Sequence, residues 1–182
     1  MNDAQIITTK NFTDERGDFL PFEIKKLLPD FNLVQVNTVI NNSPFIFRGL
    51  HWQEPPYAQT KVIRCISGQI IDFIIDIRTG SPTYGKLSGF ILNTPDNWLY
   101  IPKGFAHGYV TMPSKGPIIV EYLVDNEYNT ESERGLNFAD RLNNLIKEEI
   151  QDDVDLIVND RDLHWPDINE INTEFKYEPE EQ

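Results

Sequence analysis

The segment 48–53 (RGLHWQ) combines side chains that could hold an anion and move a proton. Arg48 carries a permanent charge on a planar group suited to phosphate, and His51 titrates near neutral pH. Lys61 and Arg64 add two cations shortly after this segment. These residue types predict a site that binds an anionic ligand and transfers protons on it. The alternative is that His51 is a core histidine with satisfied hydrogen bonds and Arg48 a surface charge.

Other chemistries lack the residues that they need. The chain has three histidines, His51, His107 and His164, and no His-x-His pair, so we expect no metal site. It has no phosphate-binding glycine loop and no Gly-x-Ser-x-Gly elbow, and its one cysteine, Cys65, lies in an apolar run typical of a core. His107 is either a core histidine or a ligand contact at a cavity mouth, and His164 is expected to be structural. Proton transfer remains the favoured chemistry.

The composition predicts one domain over residues 1–182. A net charge of −13 disfavours nucleic acid as a partner, because binding its phosphates needs an excess of lysine and arginine. No apolar run is long enough to span a membrane, and the first residues lack the pattern of a signal peptide. A single cysteine fits a reducing compartment, so we expect a cytoplasmic protein without membrane contact.

Short β-branched segments between glycine and proline turns predict a mainly β fold, an antiparallel sandwich or barrel rather than βαβ units. The strongest hairpin signal joins residues 61–67 and 69–77. Residues 33–40 are predicted to form a strand with Gln35, Asn37 and Val39 on one face, which looks either to solvent or into a cavity. Further strands are expected near residues 6–10, 83–92, 98–101, 105–112 and 118–124.

The last third of the chain follows a different pattern. Leu142, Ile146 and Ile150 have helical spacing, with Asp140 as the expected N-cap. Residues 169–182 are polar and acidic, so we expect a loose tail. The prediction is therefore a β fold with a short C-terminal helical segment.

Motifs over about residues 7–166 resemble the dTDP-4-dehydrorhamnose 3,5-epimerase family, which are cupin-fold sugar-nucleotide epimerases. They stand in the family's order and are highly specific together: DERG at 14–17, VQVN at 34–37, RGLHWQ at 48–53, DFIIDIRTGSPTYG at 72–85, IPKGFAHGY at 101–109 and NDRD at 159–162. The resemblance implies a jelly-roll, cupin-like barrel, a homodimer, a nucleotide-sugar substrate, and no metal or other cofactor. The implied reaction inverts C3 and C5 of a nucleotide-linked 4-keto-6-deoxy sugar.

The resemblance also implies roles for individual residues. His51 resembles the general base and Asp162 the carboxylate that pairs with it. Tyr122 resembles the general acid on the opposite face of the sugar, and Lys61 the lysine near the C4 keto oxygen. Asp72 resembles a strand carboxylate near the histidine, which would help to orient it. Substrate contacts are implied for a larger set, in which Tyr128 stacks on the base: Arg16, Gln35, Asn37, Arg48, His107, Tyr128, Glu133 and Arg161.

Elementary chemistry supports these roles. A 4-keto group acidifies the protons on C3 and C5, since their removal gives an enolate, and a cation such as Lys61 stabilises the charge on its oxygen. Inversion removes a proton on one face and returns one on the other, which His51 and Tyr122 on opposite walls would achieve. Nearby cations such as Lys61 are expected to make Tyr122 a better donor.

Departures from the family leave the substrate open. Pro21 and Val36 stand where the family commonly has acidic residues, and a helical segment (LNNLIKEEI) replaces its Gly-Ile-x-Trp-Pro stretch. The alternatives are inversion at C3 alone and a GDP- or CDP-linked 4-keto sugar or heptose. A non-catalytic sugar-nucleotide binding protein would need no acid and base on opposite faces. A metal-dependent cupin such as an oxygenase would need the His-x-His pair that is missing.

Overall fold

The computed structural model describes residues 3–179, and two facing antiparallel sheets form most of it. With strands numbered along the chain, the first sheet has the order β1 (Gln5–Thr8), β9 (Asn97–Ile101), β6 (Lys61–Ser67), β11 (Ile118–Val124) and β4 (Gln35–Asn41). The second has the order β12 (Glu133–Gly135), β5 (Ile46–Gln53), β10 (Phe105–Thr111), β7 (Ile70–Asp76) and β8 (Leu87–Leu92), and β13 (Ile157–Val158) lies parallel to β5. A separate hairpin joins β2 (Phe12–Asp14) to β3 (Gly17–Phe19). The expected antiparallel, mainly β fold is confirmed.

The predicted hairpin of residues 61–67 and 69–77 is wrong, because these segments are strands of different sheets. β6 pairs with β9 and β11, whereas β7 pairs with β8 and β10. A short glycine connection looks alike in a hairpin and in a crossover between sheets. Both strands are largely buried, so long-range neighbours on either side decide the pairing. The chain therefore crosses from one sheet to the other at Gly68.

Apolar clusters hold the two sheets together and cover them. Residues of both sheets fill one end of the space between them, including the buried thiol of Cys65, which is a core residue as expected. α2 (Ala139–Ile150) packs with Phe47 on the outer face of the second sheet. The segment around α1 (Ile24–Leu27) packs with Trp98 on the outer face of the first. Because these helical segments cover the outer faces, strands in the middle of each sheet are apolar on both faces.

A break in the alternation of β5 brings two charged residues to the same face. Arg48 and His51 both face the space between the sheets, although strict alternation would separate them. The break lies at Gly49, which has a φ of 134°. A Cβ on Gly49 would lie 2.5 Å from the Cα of Gly108 in β10, so only glycine lets these strands approach so closely. The register of β10 against β5 shifts directly after His107.

The expected C-terminal helix is present as α2, and its N-cap differs from the prediction. Leu142 and Ile146 are buried, as the helical spacing predicted. Phe138 occupies the N-cap position without a side-chain hydrogen bond, and Asp140 lies inside the first turn, where its charge complements the helix dipole. In residues 3–179, no helix is both long enough and apolar enough to cross a membrane.

Residues 169–179 do not form the expected loose tail. The amide of Thr79 donates to the carbonyl of Phe175 at 2.9 Å, and the amide of Tyr177 donates to the carbonyl of Thr79 at 3.0 Å. Phe175 packs against the outer cluster of the second sheet, and the guanidinium of Arg78 lies 5.2 Å from the ring centroid of Tyr177. The apolar residues among the acidic ones dock this segment. Residues 180–182, the end of the predicted tail, lie outside the described residues.

Candidate active site

The other end of the space between the sheets is an open cavity of about 760 Å³. Strands β4, β6 and β11 contribute one wall, and β5 and β10 contribute the facing wall. Every predicted site residue except Arg16 and Asp72 lines this cavity: Gln35, Asn37, Arg48, His51, Lys61, His107, Tyr122, Tyr128, Glu133, Arg161 and Asp162. The face of β4 that carries residues 35, 37 and 39 therefore lines the cavity, with Gln35 at its exposed end.

His51 and Asp162 form a hydrogen-bonded pair at this cavity. The Nε2 atom of His51 lies 2.8 Å from Oδ1 of Asp162, and the amide of Gly49 donates to Oδ2 at 3.3 Å. Burial opposes the charge on Asp162, but the bonds from His51 and Gly49, together with the charge of nearby Arg161, outweigh it and lower the pKa of this carboxyl. An ionised Asp162 accepts a hydrogen bond from the Nε2–H of His51, which leaves Nδ1 of His51 as the basic nitrogen.

The chain reaches Asp162 through local structure that the NDRD motif encodes. β13 pairs with β5 and delivers the chain beside His51. Asn159 is the N-cap of α3 (Asp160–Leu163), and its side-chain oxygen accepts the amide of Arg161 at 3.1 Å. Asp162 follows in the first turn, with its side chain 4% exposed. The asparagine cap at the start of α3 thus places the buried carboxylate of Asp162 beside the imidazole of His51.

Tyr122 faces this pair from the opposite sheet. It lies in β11, opposite Asn37 of β4 and Ile63 of β6 in the strand register. Burial raises the pKa of Tyr122 and the charge of Glu133 adds to the rise, while Arg48 opposes it. The expectation that Lys61 would make Tyr122 a better donor is therefore wrong, because desolvation outweighs the nearby positive charge and the cation that acts on Tyr122 is Arg48. The phenol remains protonated at neutral pH.

Lys61, Asp72 and His107 form a second group of titratable side chains, which is more deeply buried. Burial lowers the pKa of Lys61 to about 8, while the charges of Asp72 and Glu133 oppose the change. Burial raises the pKa of Asp72 well above its usual value, and Lys61 opposes that rise. Burial, with the charges of Lys61 and His51, lowers the pKa of His107 well below its usual value. His107 is therefore neutral at pH 7, whereas Lys61 is mostly charged.

Asp72 was expected near His51 but lies beside the other cavity histidine. Its Oδ1 is 3.5 Å from Nδ1 of His107, and none of these atoms has a hydrogen-bond partner within residues 3–179. Asp72 lies near His107 because it pairs in register with Tyr109 on β10, two residues from His107. The sequence does not reveal this pairing between strands. A motif match identifies the strand that carries a carboxylate, but not which of two histidines it meets.

Asn41 is a site residue that the sequence analysis missed. Its side-chain oxygen accepts from Nε of Arg48 at 3.1 Å, and its amide nitrogen lies 3.4 Å from the hydroxyl of Tyr109. Asn41 is itself 1% exposed. It continues the inward row of residues 35, 37 and 39 in β4, so the same alternation would have identified it. Its role is to hold the guanidinium of Arg48 in the cavity.

Glu133 ties together two residues at the cavity mouth. Its Oε2 accepts from Nη1 of Arg161 and from the hydroxyl of Tyr128, each at 2.8 Å. The ring of Tyr128 remains largely solvent-exposed. Gln53 fixes the loop before Glu133, since its side chain bonds to the backbone of residues 57, 127 and 129. The bond to Glu133 thus holds the guanidinium of Arg161 beside the cavity entrance.

Arg16 lies away from the cavity that its own chain forms. It is in the β2–β3 hairpin, is 85% exposed and forms an ion pair with Asp14. Phe12 and Phe19 on the same hairpin are also exposed, with ring centroids 6.4 Å apart. Within one chain, the hairpin therefore does not bring Arg16 to the other predicted substrate contacts.

The part of the chain that the structure describes contains no group of three or more histidine, cysteine, aspartate or glutamate residues arranged to hold a metal ion. His107 and Asp72 are adjacent, and His51 and Asp162 are adjacent. The two carboxyl groups differ, since the pKa of Asp72 is raised and the pKa of Asp162 is lowered. The arrangement can remove a proton on one wall, supply one from the other, and hold negative charge near Lys61.

Comparison with known proteins gives a consistent result. The family model described as dTDP-4-dehydrorhamnose 3,5-epimerase matches residues 1–170. A protein of that name from Sinorhizobium fredii is 32% identical over 180 residues, which is 96% of this chain and 90% of the relative. A crystal structure of the enzyme of that name from Bacillus anthracis, with TDP and PPi bound, has a TM-score of 0.77 at 33% identity and covers 91% of this chain and 94% of its own.

A second solved structure matches over almost the whole chain. It is dTDP-6-deoxy-D-glucose-3,5-epimerase from Legionella pneumophila, in complex with dTDP-4-keto-L-rhamnose. The TM-score is 0.81 at 28% identity, with 98% of this chain and 96% of that chain covered. The cupin-like jelly roll expected from the motifs is therefore the fold of this protein.

Proposed function

The chain belongs to the dTDP-4-dehydrorhamnose 3,5-epimerase family, and we propose that it inverts C3 and C5 of a dTDP-linked 4-keto-6-deoxy sugar through an enolate. It is an epimerase, as its relatives are. The observation that carries the mechanism is the His51–Asp162 hydrogen bond on one wall of a cavity with Tyr122 on the facing sheet. This arrangement supports proton removal and return on opposite faces of a ring.

The general base is His51. Asp162 accepts a hydrogen bond from its Nε2–H, so Nδ1 is free to take a proton from C3 or C5. The positive charge that develops on the imidazole is stabilised by the carboxylate, whose lowered pKa keeps it ionised. The carboxylate therefore makes His51 a stronger base.

The electrons released at the carbon move onto the C4 oxygen, where Lys61 carries the matching charge. Its pKa of about 8 leaves it mainly an ammonium at pH 7. Burial strengthens its attraction for an enolate oxygen, because few water molecules screen it. His107 stands neutral beside it and contributes a hydrogen bond without adding a second charge.

The general acid is Tyr122. Its raised pKa keeps the phenol protonated, so it has a proton to donate to the carbon on the face opposite His51. Arg48, held by Asn41, then stabilises the phenolate that remains. Inversion follows because the proton returns from the wall that did not remove it.

The remaining cavity residues bind the substrate. Arg48 and Arg161 supply positive charge for the diphosphate, and Tyr128 supplies an exposed ring on which a base can stack. Gln35 and Asn37 face the sugar from β4. We keep a cytoplasmic location without nucleic acid or membrane partners as a proposal, supported by the net charge of −13 and the single reduced cysteine.

We also propose that the protein is a homodimer in which the partner supplies Arg16. β4 is the edge strand of its sheet, and Val36 and Ile40 on it are 52% and 61% exposed. An apolar unpaired edge is a ready surface for a second chain. The exposed β2–β3 hairpin carries Arg16 away from its own cavity, which is the geometry expected if it reaches into a neighbour's.

Complementation tests this dimer. Arg16→Ala and His51→Asn chains, each weakly active or inactive alone, are coexpressed with different tags and the mixed dimer is purified. If Arg16 acts across the interface, one site of the mixed dimer has both residues intact and activity returns to about half that of the wild type. No recovery in a verified mixed dimer, or a monomer in light scattering, contradicts the proposal.

Proton exchange tests the reaction. The protein is incubated in D2O with dTDP-4-keto-6-deoxyglucose, and H3 and H5 are followed by NMR, with His51→Asn and Tyr122→Phe as controls. We expect deuterium at both C3 and C5, lost in His51→Asn. Deuterium at C3 alone would make it a 3-epimerase. Silence with this substrate and with GDP- and CDP-linked 4-keto sugars would favour a binding protein instead.

A further inference from the structure

Trp165 packs beside His51 of the catalytic pair. The ring centroids of Trp165 and His51 are 6.2 Å apart and their planes meet at 70°, an edge-to-face contact. Trp165 is not among the residues that line the cavity, so it contacts His51 without lining the cavity itself. Its Nε1 is buried and has no hydrogen-bond partner within residues 3–179, so packing and not polar bonding fixes the indole.

The space for this indole exists because residue 135 is glycine. Gly135 lies directly opposite His51 in the β12–β5 register. A Cβ on Gly135 would be 2.5 Å from each of three atoms of the indole, two of them shared between its rings. Real side chains do not approach so closely, so any other residue at 135 would displace Trp165. The missing side chain on one strand therefore makes room for a support beside the histidine on the next.

The backbone on both sides of Trp165 is anchored to one residue, Asn137, which lies two residues after β12. The side-chain amide of Asn137 donates to the carbonyl of Leu163 at 2.9 Å, and its backbone amide donates to the carbonyl of Pro166 at 3.0 Å. The amide of Leu136 in turn donates to Leu50 of β5 at 2.9 Å. The segment that carries Asp162 is thus fastened to the strand that carries His51, with Trp165 in the middle of the attachment.

We infer that Trp165, seated over Gly135, is a positioning residue that holds the His51 ring and the Asp162 segment in the geometry for proton transfer. The inference rests on the proposed function, since it assigns a support to the base of that reaction. Proton transfer depends steeply on such alignment, and a displacement of about 1 Å costs about 100-fold in rate. Trp165 contacts the imidazole and not the cavity, so its loss should lower kcat and leave substrate binding nearly unchanged.

The test measures kcat, KM and exchange into C3 and C5 for Trp165→Ala, Trp165→Phe, Gly135→Ala and the double variant Gly135→Ala/Trp165→Ala. We expect Trp165→Ala to lower kcat by about 10- to 100-fold with KM within about 3-fold, and Trp165→Phe to restore most of it. Gly135→Ala should lower kcat although the tryptophan is still present. The double variant should be no worse than the worse single one, because both changes act through one contact.

Leu163→Ala is the matched control, because Leu163 belongs to the same segment, is 42% exposed, and keeps its carbonyl bond to Asn137. It should retain wild-type kcat. Circular dichroism identifies any variant that does not fold, and if Trp165→Ala is one, Trp165→Phe and Gly135→Ala decide the outcome.

Three results would overturn the inference: wild-type kcat in Trp165→Ala, a rise of KM that accounts for the loss, or losses that multiply in the double variant. An inactive wild type would instead refute the proposed function.

Discussion

The histidines of two histidine–aspartate pairs lie on neighbouring strands, and the two carboxyl groups are in contrasting electrostatic environments. His51 on β5 and His107 on β10 face each other in the strand register. His51 bonds to Asp162 at 2.8 Å, whereas His107 lies 3.5 Å from Asp72 without a hydrogen bond. The first carboxyl has a lowered pKa and the second a pKa raised well above its usual value.

Hydrogen-bond donors and solvent account for this difference. Asp162 sits at a helix start with the Gly49 amide and Arg161 beside it, so its negative charge is satisfied and can stabilise an imidazolium. Asp72 is 0% exposed, and among residues 3–179 Lys61 is the one cation that favours its charge. The first pair is suited to gaining a proton, and the second to keeping a neutral histidine beside a charged lysine.

Substituting the two histidines one at a time should give the largest difference between the two pairs. His51→Asn should reduce kcat by about 10³- to 10⁴-fold, because it removes the base. His107→Asn should reduce it by about 10-fold or less, because a neutral side chain that only donates or accepts a bond is replaced by an amide. Deuterium exchange at C3 and C5 measures both. Equal losses would mean that the two imidazoles share the base role.

Asp162→Asn tests whether the carboxylate of the first pair sets the tautomer of His51. The amide nitrogen facing Nε2 would favour the tautomer with the proton on Nδ1, so the basic nitrogen points to the wrong partner. We expect kcat to fall by about 100-fold or more with KM little changed. Thermal unfolding of the variant provides the control, because Asp162 also accepts the Gly49 amide. A rise in KM together with a loss of kcat in a folded variant would instead assign Asp162 to substrate binding.

Local patterns predicted much of this site, and long-range pairing accounts for what they missed. Alternation in β4 put Gln35 and Asn37 on one face, and the cavity is where that face looks. The hairpin at Gly68 failed because a glycine turn does not reveal which strands become neighbours. In the same way, the break at Gly49 changes which face His51 occupies, and so which carboxylate it meets.

The motif match for Arg16 shows the other limit. Residue type and spacing predict that Arg16 contacts the substrate, but they do not predict that it lies away from the cavity of its own chain. The 85% exposed side chain becomes informative only once the other predicted contacts are seen together without it. The tail differed for a local reason, since Phe175 and Tyr177 dock among residues whose overall composition is acidic.

The charge of Lys61 predicts an alkaline limit to activity. Its pKa of about 8 means that the ammonium is lost as the pH rises through that value, and with it the group that stabilises the enolate. We expect kcat to fall about tenfold for each pH unit above about 8. Lys61→Arg, which stays charged, should be less active but lack this decline. A flat profile to about pH 9.5 in the wild type would contradict the role of Lys61.

Asp72→Asn gives the smallest effect and separates the two pairs most finely. The negative charge of Asp72 raises the pKa of Lys61 against the effect of burial, and asparagine keeps its shape without that charge. The midpoint of the alkaline decline should therefore move below its wild-type position, by up to about one pH unit, while kcat at pH 6 changes little. Glu121→Gln removes the same charge from β11, where Glu121 pairs with Arg64 outside the cavity, and should leave the midpoint in place. A midpoint that stays fixed in Asp72→Asn would mean that Asp72 is already neutral when Lys61 titrates, and a midpoint that rises would contradict the assigned effect of Asp72 on Lys61.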